Sequence, residues 1–171
     1  MDLIPAGPTD AEWLLPFAKR LFLDAYQDSY TPEQLWGYLD RAYELSTWQK
    51  ELTSPDNAYF VAKKDGQALG YLRLAWGEPM EPLQDLHLLE INRLYVAQEF
   101  QGRGVAQQLM DFAIEYGKEH GYVGIWLSTW KRQSRSLTFY GKYGFEAVGT
   151  HLFEMGAGYA EEDYIMRKLF D

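Results

Sequence analysis

One short junction constrains the fold of this chain more than any other feature. Residues 88–96 (LLEINRLYV) alternate like a strand, and residues 105–116 carry apolar side chains at helical spacing. Between them stand Gly102 and Gly104. The first amides of a helix lack partners within the helix, and glycine lets a ligand approach the backbone without a Cβ between them. The junction therefore predicts a strand–turn–helix unit that can bind an anion such as phosphate.

The remaining pattern predicts one domain, residues 1–171, of mixed α/β (α+β) class. Helices are predicted from residue 9, with a capping box formed by Thr9 and Glu12, from Thr31, with Gln34 as its box partner, and at residues 134–143. Strands are predicted at residues 57–63, 69–76, 122–128, 146–153 and 163–169. The predicted order is β-α-α-β-β-β-α-β-α-β-β. In the strand at residues 88–96, alternation predicts Leu89, Ile91 and Arg93 on one face, with Glu90, Asn92 and Leu94 on the other.

Composition narrows the class of protein. The chain has no cysteine, which excludes disulfides and a thiolate nucleophile, and its three histidines are too scattered to predict a zinc site. Its net charge of −9 disfavours nucleic acid and anionic membranes as partners. The N-terminus lacks the pattern of a signal peptide, and no run is apolar enough to span a membrane. We therefore expect a soluble, cytoplasmic protein.

The glycine junction alone does not establish a phosphate site. The turn lacks the lysine of a P-loop and the third small residue of a dinucleotide-binding fingerprint, so a tight turn that binds nothing is an alternative. A basic stretch nevertheless follows, because residues 131–142 contain Lys131, Arg132, Arg135 and Lys142 and no acid. Such a cluster suits a ligand with several phosphates, although a solvated helix face would also explain it.

Three segments together resemble one family. The run QGRGVA at residues 101–106 is similar to the [QR]-x-x-G-x-[GA] signature of the GNAT acyltransferase superfamily, whose members use acetyl-CoA to acetylate amines. The strand LEINRLYV and the downstream segment QSRSLTFYGKYGF resemble that family's fourth strand and its later helix. The resemblance implies the GNAT acyl-CoA N-acyltransferase fold, a mixed, mostly antiparallel central sheet flanked by helices. It is greatest to bacterial diamine and polyamine N-acetyltransferases. Gln98, Gln133 and Ser136 depart from the family's usual Pro, Asn and Ala.

The resemblance also implies a set of site residues. The amides of the turn would bind the pyrophosphate, the strand before it would pair with the pantetheine arm, and the later helix would contact the rest of acetyl-CoA. The implied coenzyme residues are Leu94, Tyr95, Val96, Gln101, Gly102, Arg103, Gly104, Val105, Ala106, Gln133, Ser136, Phe139 and Lys142.

Two residues are candidate catalysts. Glu90 is the implied general base, and burial in its apolar strand would raise its pKa. A structural carboxylate paired with Arg93 or a lysine is the alternative. Tyr140 is the implied general acid for the departing thiolate; a packed aromatic side chain is the alternative.

The acceptor is the least constrained part of the prediction. Two acidic groups could flank a pocket for a cationic amine: Glu78, Glu81 and Asp85 in one loop, and Glu161, Glu162 and Asp163 before the last strand. Tyr26, Tyr30 and Trp36 could add cation–π contacts. We expect an N-acetyltransferase acting on a small polyamine-like amine. A peptide or protein N-acetyltransferase and a non-catalytic acyl-CoA sensor or interaction module remain alternatives. The resemblance also allows a homodimer, because members of the family often dimerise.

Overall fold

The computed structural model describes residues 1–156 and 158–171. Within them, seven strands form one sheet. The strands are β1 (Asp2–Ala6), β2 (Asn57–Lys64), β3 (Gln67–Ala75), β4 (Leu88–Val96), β5 (Gly124–Trp130), β6 (Glu146–Gly156) and β7 (Tyr159–Leu169). They lie in the order β1-β2-β3-β4-β5-β7-β6, and β4–β5 is the parallel pair among antiparallel neighbours. The predicted mixed, mostly antiparallel sheet is therefore confirmed.

Five α-helices accompany the sheet in the described residues. They are α1 (Ala11–Tyr26), α2 (Pro32–Ala42), α3 (Leu45–Thr53), α4 (Val105–Glu119) and α5 (Ser134–Lys142). The predicted order omitted α3, so it was wrong by one helix. This helix has nine residues, buries only Trp48 completely and has no side-chain cap, which leaves little periodic signal in the sequence.

The two predicted N-terminal caps had different outcomes. The helix α1 begins at Ala11, after a 3₁₀ turn at Pro8–Asp10. The Asp10 carboxylate accepts hydrogen bonds from the Gly7 N–H (2.9 Å) and from Trp13 Nε1 (2.8 Å), so the predicted box of Thr9 and Glu12 was wrong. At α2 the box of Thr31 and Gln34 is confirmed.

Each face of the sheet is covered by helices. The helix α4 packs on one face, where its Leu109 and Ala113 join buried side chains of β3, β4 and β5. The helices α1, α2 and α3 cover the other face, and their core includes Trp48 and Tyr71. Burial of these apolar side chains is the main favourable term in folding. None of the helices in the described residues combines the length and apolar composition that crossing a membrane requires.

The strands β4 and β5 separate along their length. Their pairing extends only from Leu88 to Glu90 on β4 and from Gly124 to Trp126 on β5. Beyond that point β4 continues beside β3, while β5 continues beside β7. A wedge therefore opens in the middle of the sheet, bordered on one side by backbone groups of β4 that have no strand partner.

A β-bulge interrupts β4 beside the wedge. Arg73 of β3 lies opposite Arg93, but the next residue of β3 lies opposite Ile91, so Asn92 is the extra residue. Because of this extra residue, the side chains of β4 that follow Asn92 lie on the opposite faces of the sheet from those that simple alternation predicts. Leu94 packs in the same cluster as Ile91, and Arg93 lies over the aromatic rings on the face covered by α1–α3. The predicted faces of Arg93 and Leu94 were therefore wrong.

Candidate active site

The wedge opens into a cleft of about 1190 Å³. One end, here called the α4 end, is lined by the last residues of β4, the turn before α4, and α5. The other end, here called the α1 end, is lined by α1, α2, β6 and β7. A single cleft thus joins the glycine junction to the face of the sheet that α1 and α2 cover.

The turn at the α4 end leaves helix amides unpaired. Gly104 is the N-cap of α4 with φ 83°, and no side chain in the described part of the chain caps this terminus. Gly102 has φ 75°, and both angles favour glycine over residues with a Cβ. The first turn of α4 contains no acidic residue. The terminus therefore offers uncapped N–H groups and the positive end of the helix dipole to an anion.

The end of β4 adds a second set of backbone groups. The Ala97 N–H donates to the Leu69 carbonyl at 2.9 Å, so residue 97 faces β3. Because an antiparallel strand alternates its bonding direction, the N–H and C=O of Leu94 and Val96 face the wedge. An extended chain that carries amides and ends in a diphosphate would therefore find partners along β4 and at the α4 terminus.

Most of the predicted coenzyme residues line this cleft. They are Leu94, Tyr95, Val96, Gln101, Gly102, Ala106, Gln133, Ser136, Phe139 and Lys142. Three others do not: Arg103 lies 5.8 Å from the Phe100 ring, the Val105 side chain is buried in the core, and Gly104 lies just outside the lining. Only the backbone of Gly104 and Val105 is therefore suited to the predicted contact.

Gln101 has a contact that the sequence did not predict. Its Nε2 donates to the Val96 carbonyl at 3.0 Å, and its Oε1 accepts from Arg135 at 2.5 Å. The side chain thus bridges the end of β4 to α5. Arg135, which the sequence marked only as part of a basic stretch, also lines the cleft.

Glu90 lies where β4 and β5 part. It is the last residue of β4 paired with β5, opposite Trp126. Burial raises its pKa above the ordinary value, as expected, while the hydrogen bond from Asn92 and the charges of Arg73 and Arg93 act in the opposite direction. Within the described residues Glu90 forms no ion pair with Arg93 or with a lysine: Arg93 Nη1 donates to Glu51 at 2.8 Å, and the Glu90 carboxylate accepts from Asn92.

Tyr140 lines the same cleft from α5. Its ring packs against Phe139 and Phe145, with centroids 5.5 and 5.7 Å apart. Burial raises the pKa of its phenol above the ordinary value, with a smaller contribution from Tyr26. The hydroxyl therefore stays protonated at neutral pH and is available as a proton donor.

The α1 end combines aromatic rings with a buried carboxylate. Tyr26 and Tyr30 lie 6.4 and 5.4 Å from the Trp130 ring, measured between centroids. Asp163 lines the cleft beside them and is only 8% exposed. Within the described residues His151 Nε2 lies 3.9 Å from Asp163 Oδ2. Burial raises the pKa of Asp163 to about 6, with His151 opposing this shift and the Glu161 charge adding to it.

The other predicted acceptor residues are less close to the cleft. Glu161 lines it but is bonded to Trp130 and Arg132. Glu162 pairs with Lys131 at 2.7 Å. The loop acids Glu78, Glu81 and Asp85 are outside the cleft lining, as is Trp36, which is 52% exposed and lies beneath Lys19. The structure therefore brings together Tyr26, Tyr30, Glu161 and Asp163 and leaves the rest of the predicted acceptor groups apart.

Several lining residues of the α1 end were not predicted. They are Arg73, Asn92, Arg93, Tyr38, Tyr43, Phe153 and Met155. They come from four separate segments, and the bulge at Asn92 decides which side chains of β4 face the cleft. The sequence contains no local signal for these contacts.

A wedge in a sheet beside an uncapped helix terminus suits a protein that binds an extended ligand with amides and a diphosphate. Comparisons with known proteins agree with this class. The model of the acetyltransferase (GNAT) family matches residues 21–145. The chain therefore belongs to the GNAT family. It is an acyltransferase, and acetyl-CoA is its co-substrate.

Relatives cover nearly the whole chain. It is 26% identical over 168 residues to an uncharacterized N-acetyltransferase of Lactobacillus delbrueckii subsp. lactis, covering 98% of this chain and 96% of that one. It is 30% identical over 158 residues to an uncharacterized N-acetyltransferase of Mycobacterium tuberculosis, covering 92% and 96%. These relatives support N-acetyl transfer and leave the acceptor undefined.

Solved structures share the fold. The PaiA N-acetyltransferase of Thermoplasma acidophilum in complex with coenzyme A superposes with a TM-score of 0.79 at 21% identity, over 99% of this chain and 100% of that one. The ribosomal-protein-alanine N-acetyltransferase of Brucella melitensis gives 0.71 at 21% identity, over 99% and 100%. Because proteins with different acceptors share this fold, the fold does not define the acceptor.

Proposed function

We propose that the protein transfers the acetyl group of acetyl-CoA to a primary amine of a small, cationic, polyamine-like acceptor. Glu90 acts as general base and Tyr140 as general acid. The observation that supports this most is that both side chains line one cleft with the uncapped terminus of α4. A pure binding module needs neither group.

The coenzyme occupies the α4 end in this proposal. The amides of residues 102–106 bind the pyrophosphate, and the backbone of Leu94 and Val96 pairs with the pantetheine arm. When bound, the co-substrate supplies the thioester that the amine attacks. Lys142 and Arg135, which line the same end, add positive charge for the phosphates.

Proton transfer then falls to two residues of the chain. An ammonium group has no lone pair, so Glu90 accepts its proton, directly or through water, before the amine forms the new C–N bond. As the C–S bond breaks, Tyr140 donates its phenolic proton to the departing thiolate. The nitrogen loses its second proton as the amide forms, and that proton returns through water to the Tyr140 phenolate. A raised pKa makes Glu90 the stronger base. The Tyr140 phenol is protonated at neutral pH and so holds the proton that the thiolate requires.

The α1 end supports a cationic acceptor. Asp163 is a buried carboxylate near Glu161, and within the described residues the basic group that lies within 4.0 Å of it is His151, at 3.9 Å. It therefore has capacity for a positive ligand. The faces and edges of Tyr26, Tyr30 and Trp130 surround the approach to it, and aromatic faces attract ammonium groups. We infer that Asp163 contacts a second charged nitrogen of the acceptor.

The experiment is an assay of thiol release from acetyl-CoA across diamines, monoamines of equal length, and a peptide with a free N-terminus. The proposal predicts turnover with diamines, at a KM well below that of the matched monoamines. Asp163→Asn should raise KM for the diamine and leave the monoamine nearly unchanged. Preferential turnover of the peptide would favour the peptide N-acetyltransferase instead, and coenzyme binding without turnover of any amine would contradict the proposal.

A further inference from the structure

We propose that Asn92 and Arg73 are positioning residues that orient the Glu90 carboxylate and keep it ionised for proton transfer. The inference rests on the proposed function, since it takes Glu90 as the base. It starts from the bulge in β4, which makes Asn92 the residue without an opposite partner on β3. Its exposed side chain is therefore not required for packing of the core.

The amide of Asn92 can adopt only one useful orientation. Arg73 Nη1 donates to Asn92 Oδ1 at 3.0 Å, and a guanidinium can only donate. The oxygen of the amide must therefore face Arg73, which turns the Nδ2 group towards Glu90. Asn92 Nδ2 donates to Glu90 Oε1 at 2.8 Å. A fixed donor of this kind stabilises the ionised carboxylate over the protonated one.

Arg73 is itself held by the fold. Its Nη1 lies 3.3 Å from Glu51 Oε1 on α3, and the second oxygen of Glu51 accepts from Arg93 Nη1 at 2.8 Å. Arg93 Nη1 also donates to the Tyr59 hydroxyl at 2.6 Å. The two arginine side chains and Glu51 are all at least four-fifths buried. This buried ion cluster thus holds the Arg73 side chain in place. Arg73 orients the amide of Asn92, and Asn92 orients the carboxylate of Glu90.

This cluster also explains why two arginines lie beneath an acceptor site for cations. Glu51 is shared between them, so together with Glu90 the two positive and two negative charges balance. The cluster therefore presents no net charge to an incoming ammonium while Glu90 is ionised. Burial is already the largest influence on the pKa of Glu90. Removal of Asn92 or Arg73 would take away part of what opposes burial and raise that pKa further.

Other titratable groups line the cleft around Glu90 and are unchanged by these substitutions. They are Asp24 and Tyr26 on α1, Tyr30 after it, Tyr38 on α2, Tyr43 after it, Arg93 and Tyr95 on β4, Arg135, Tyr140 and Lys142 on α5, Tyr143 after it, and Glu161 and Asp163 on β7. The residue of β5 opposite Glu90 is Trp126, which does not titrate. A shift confined to the Asn92 and Arg73 variants would therefore report the hydrogen-bonded chain from Arg73 through Asn92 to Glu90.

The test measures the titration of Glu90 in two ways. The first is the acid limb of the pH profile of kcat/KM, and the second is a ¹³C NMR titration of the Glu90 carboxyl, assigned with Glu90→Gln. In Asn92→Leu we expect both to move to higher pH by about one unit, because a lost hydrogen bond to a charged group is of that size. Arg73→Met should move them in the same direction, and Arg73→Lys should move them less.

The control is Arg20→Met, which removes an arginine from an exposed pair with Glu99. It should leave both titrations in place. A Glu90 carboxyl that titrates at the same pH in the wild type and in Asn92→Leu would overturn the inference, whether or not any amine is acetylated. A wild type that turns over no amine would instead contradict the proposed function, and the NMR titration would still decide on Asn92.

Discussion

The two ends of the cleft are built in different ways. The α4 end comes from two continuous stretches: β4 through the first turn of α4 offers backbone groups, and α5 adds positive side chains. The α1 end is assembled from α1, α2, β6 and β7, and it offers aromatic rings and carboxylates. Local backbone geometry thus determines the coenzyme site, whereas long-range packing determines the acceptor site.

This difference has a functional consequence. A backbone site keeps its shape while side chains vary, so it suits a co-substrate common to a whole family. A site made from side chains of distant segments can change with each of them, and it suits an acceptor that differs between members. Substitutions at the two ends should therefore separate coenzyme binding from turnover and acceptor selection.

The largest effect is expected for Glu90→Gln. Loss of a general base typically costs about 100- to 10,000-fold in rate, so kcat should fall by that factor. The Kd of acetyl-CoA, measured by calorimetry, should stay unchanged because Glu90 is outside the α4 end. The control Glu115→Gln, on the exposed face of α4, should retain full activity. Equal kcat in Glu90→Gln and wild type would remove Glu90 from catalysis.

Tyr140→Phe should have the next largest effect. The ring and its packing against Phe145 are kept, and only the proton donor is lost. We expect turnover to fall about 100-fold, at the lower limit for acid–base catalysis, with little change in the KM of acetyl-CoA. Tyr122→Phe, at a tyrosine stacked on His87 and outside the cleft lining, is the matched control. Full turnover in Tyr140→Phe would leave the ring with a packing role only.

Gly104→Val should affect coenzyme binding instead. A β-branched residue at φ 83° is strained, and relief of that strain would rotate the amides that open α4. We expect the Kd of coenzyme A to rise about tenfold, the equivalent of 1–2 kcal/mol of backbone strain. Gly104→Asn tolerates the left-handed conformation better and should bind more tightly than the valine variant. If both variants bound like the wild type, the backbone of this turn would not form the site.

The last expected effect concerns the stability of the protein, and not its activity, and it comes from Asp163 at the α1 end. The pKa of Asp163 is raised to about 6 in the folded protein, so its ionised form is disfavoured there. Below the pKa of Asp163 in the unfolded chain, near 4, the carboxyl is protonated in both states and its burial costs no stability. As the pH rises through about 6, Asp163 ionises in the folded protein as well, and the free energy of unfolding has fallen by the full cost of the buried charge.

Asp163→Asn should therefore be more stable than the wild type at pH 8 by about 1–3 kcal/mol in the free energy of unfolding. The difference should shrink towards zero at pH 4. Urea unfolding at both pH values measures it. A difference independent of pH would show that the Asp163 charge is not disfavoured, and would weaken its assignment as a group kept for ligand binding.

The sequence predicted most of the sheet and the α4 end because these depend on local patterns. Alternation located β4, and two glycines beside a periodic apolar run located the start of α4. It failed where contacts between distant residues decide the outcome. The bulge at Asn92 reversed the faces of Arg93 and Leu94, and no pattern in β4 alone marks it.

The acidic groups show the same limit. Asp163 and Glu81 are equally plausible as acceptor contacts in the sequence, since each stands in an acidic stretch before a strand. Asp163 lies at the cleft because β7 pairs with β5, which places Asp163 opposite Trp130. The Glu81 loop lies elsewhere, so composition could not distinguish a binding carboxylate from a solvated one.

The most direct test of the coenzyme site is a ¹H–¹⁵N NMR titration of the labelled protein with coenzyme A. If the coenzyme lies along β4 and at the start of α4, we expect the largest chemical-shift changes at the amides of Leu94, Val96, Gly102, Gly104 and Ala106. We expect smaller changes at Tyr30 and Asp163. If those five amides stayed unchanged at saturating coenzyme, the uncapped terminus of α4 would not be the site that holds it.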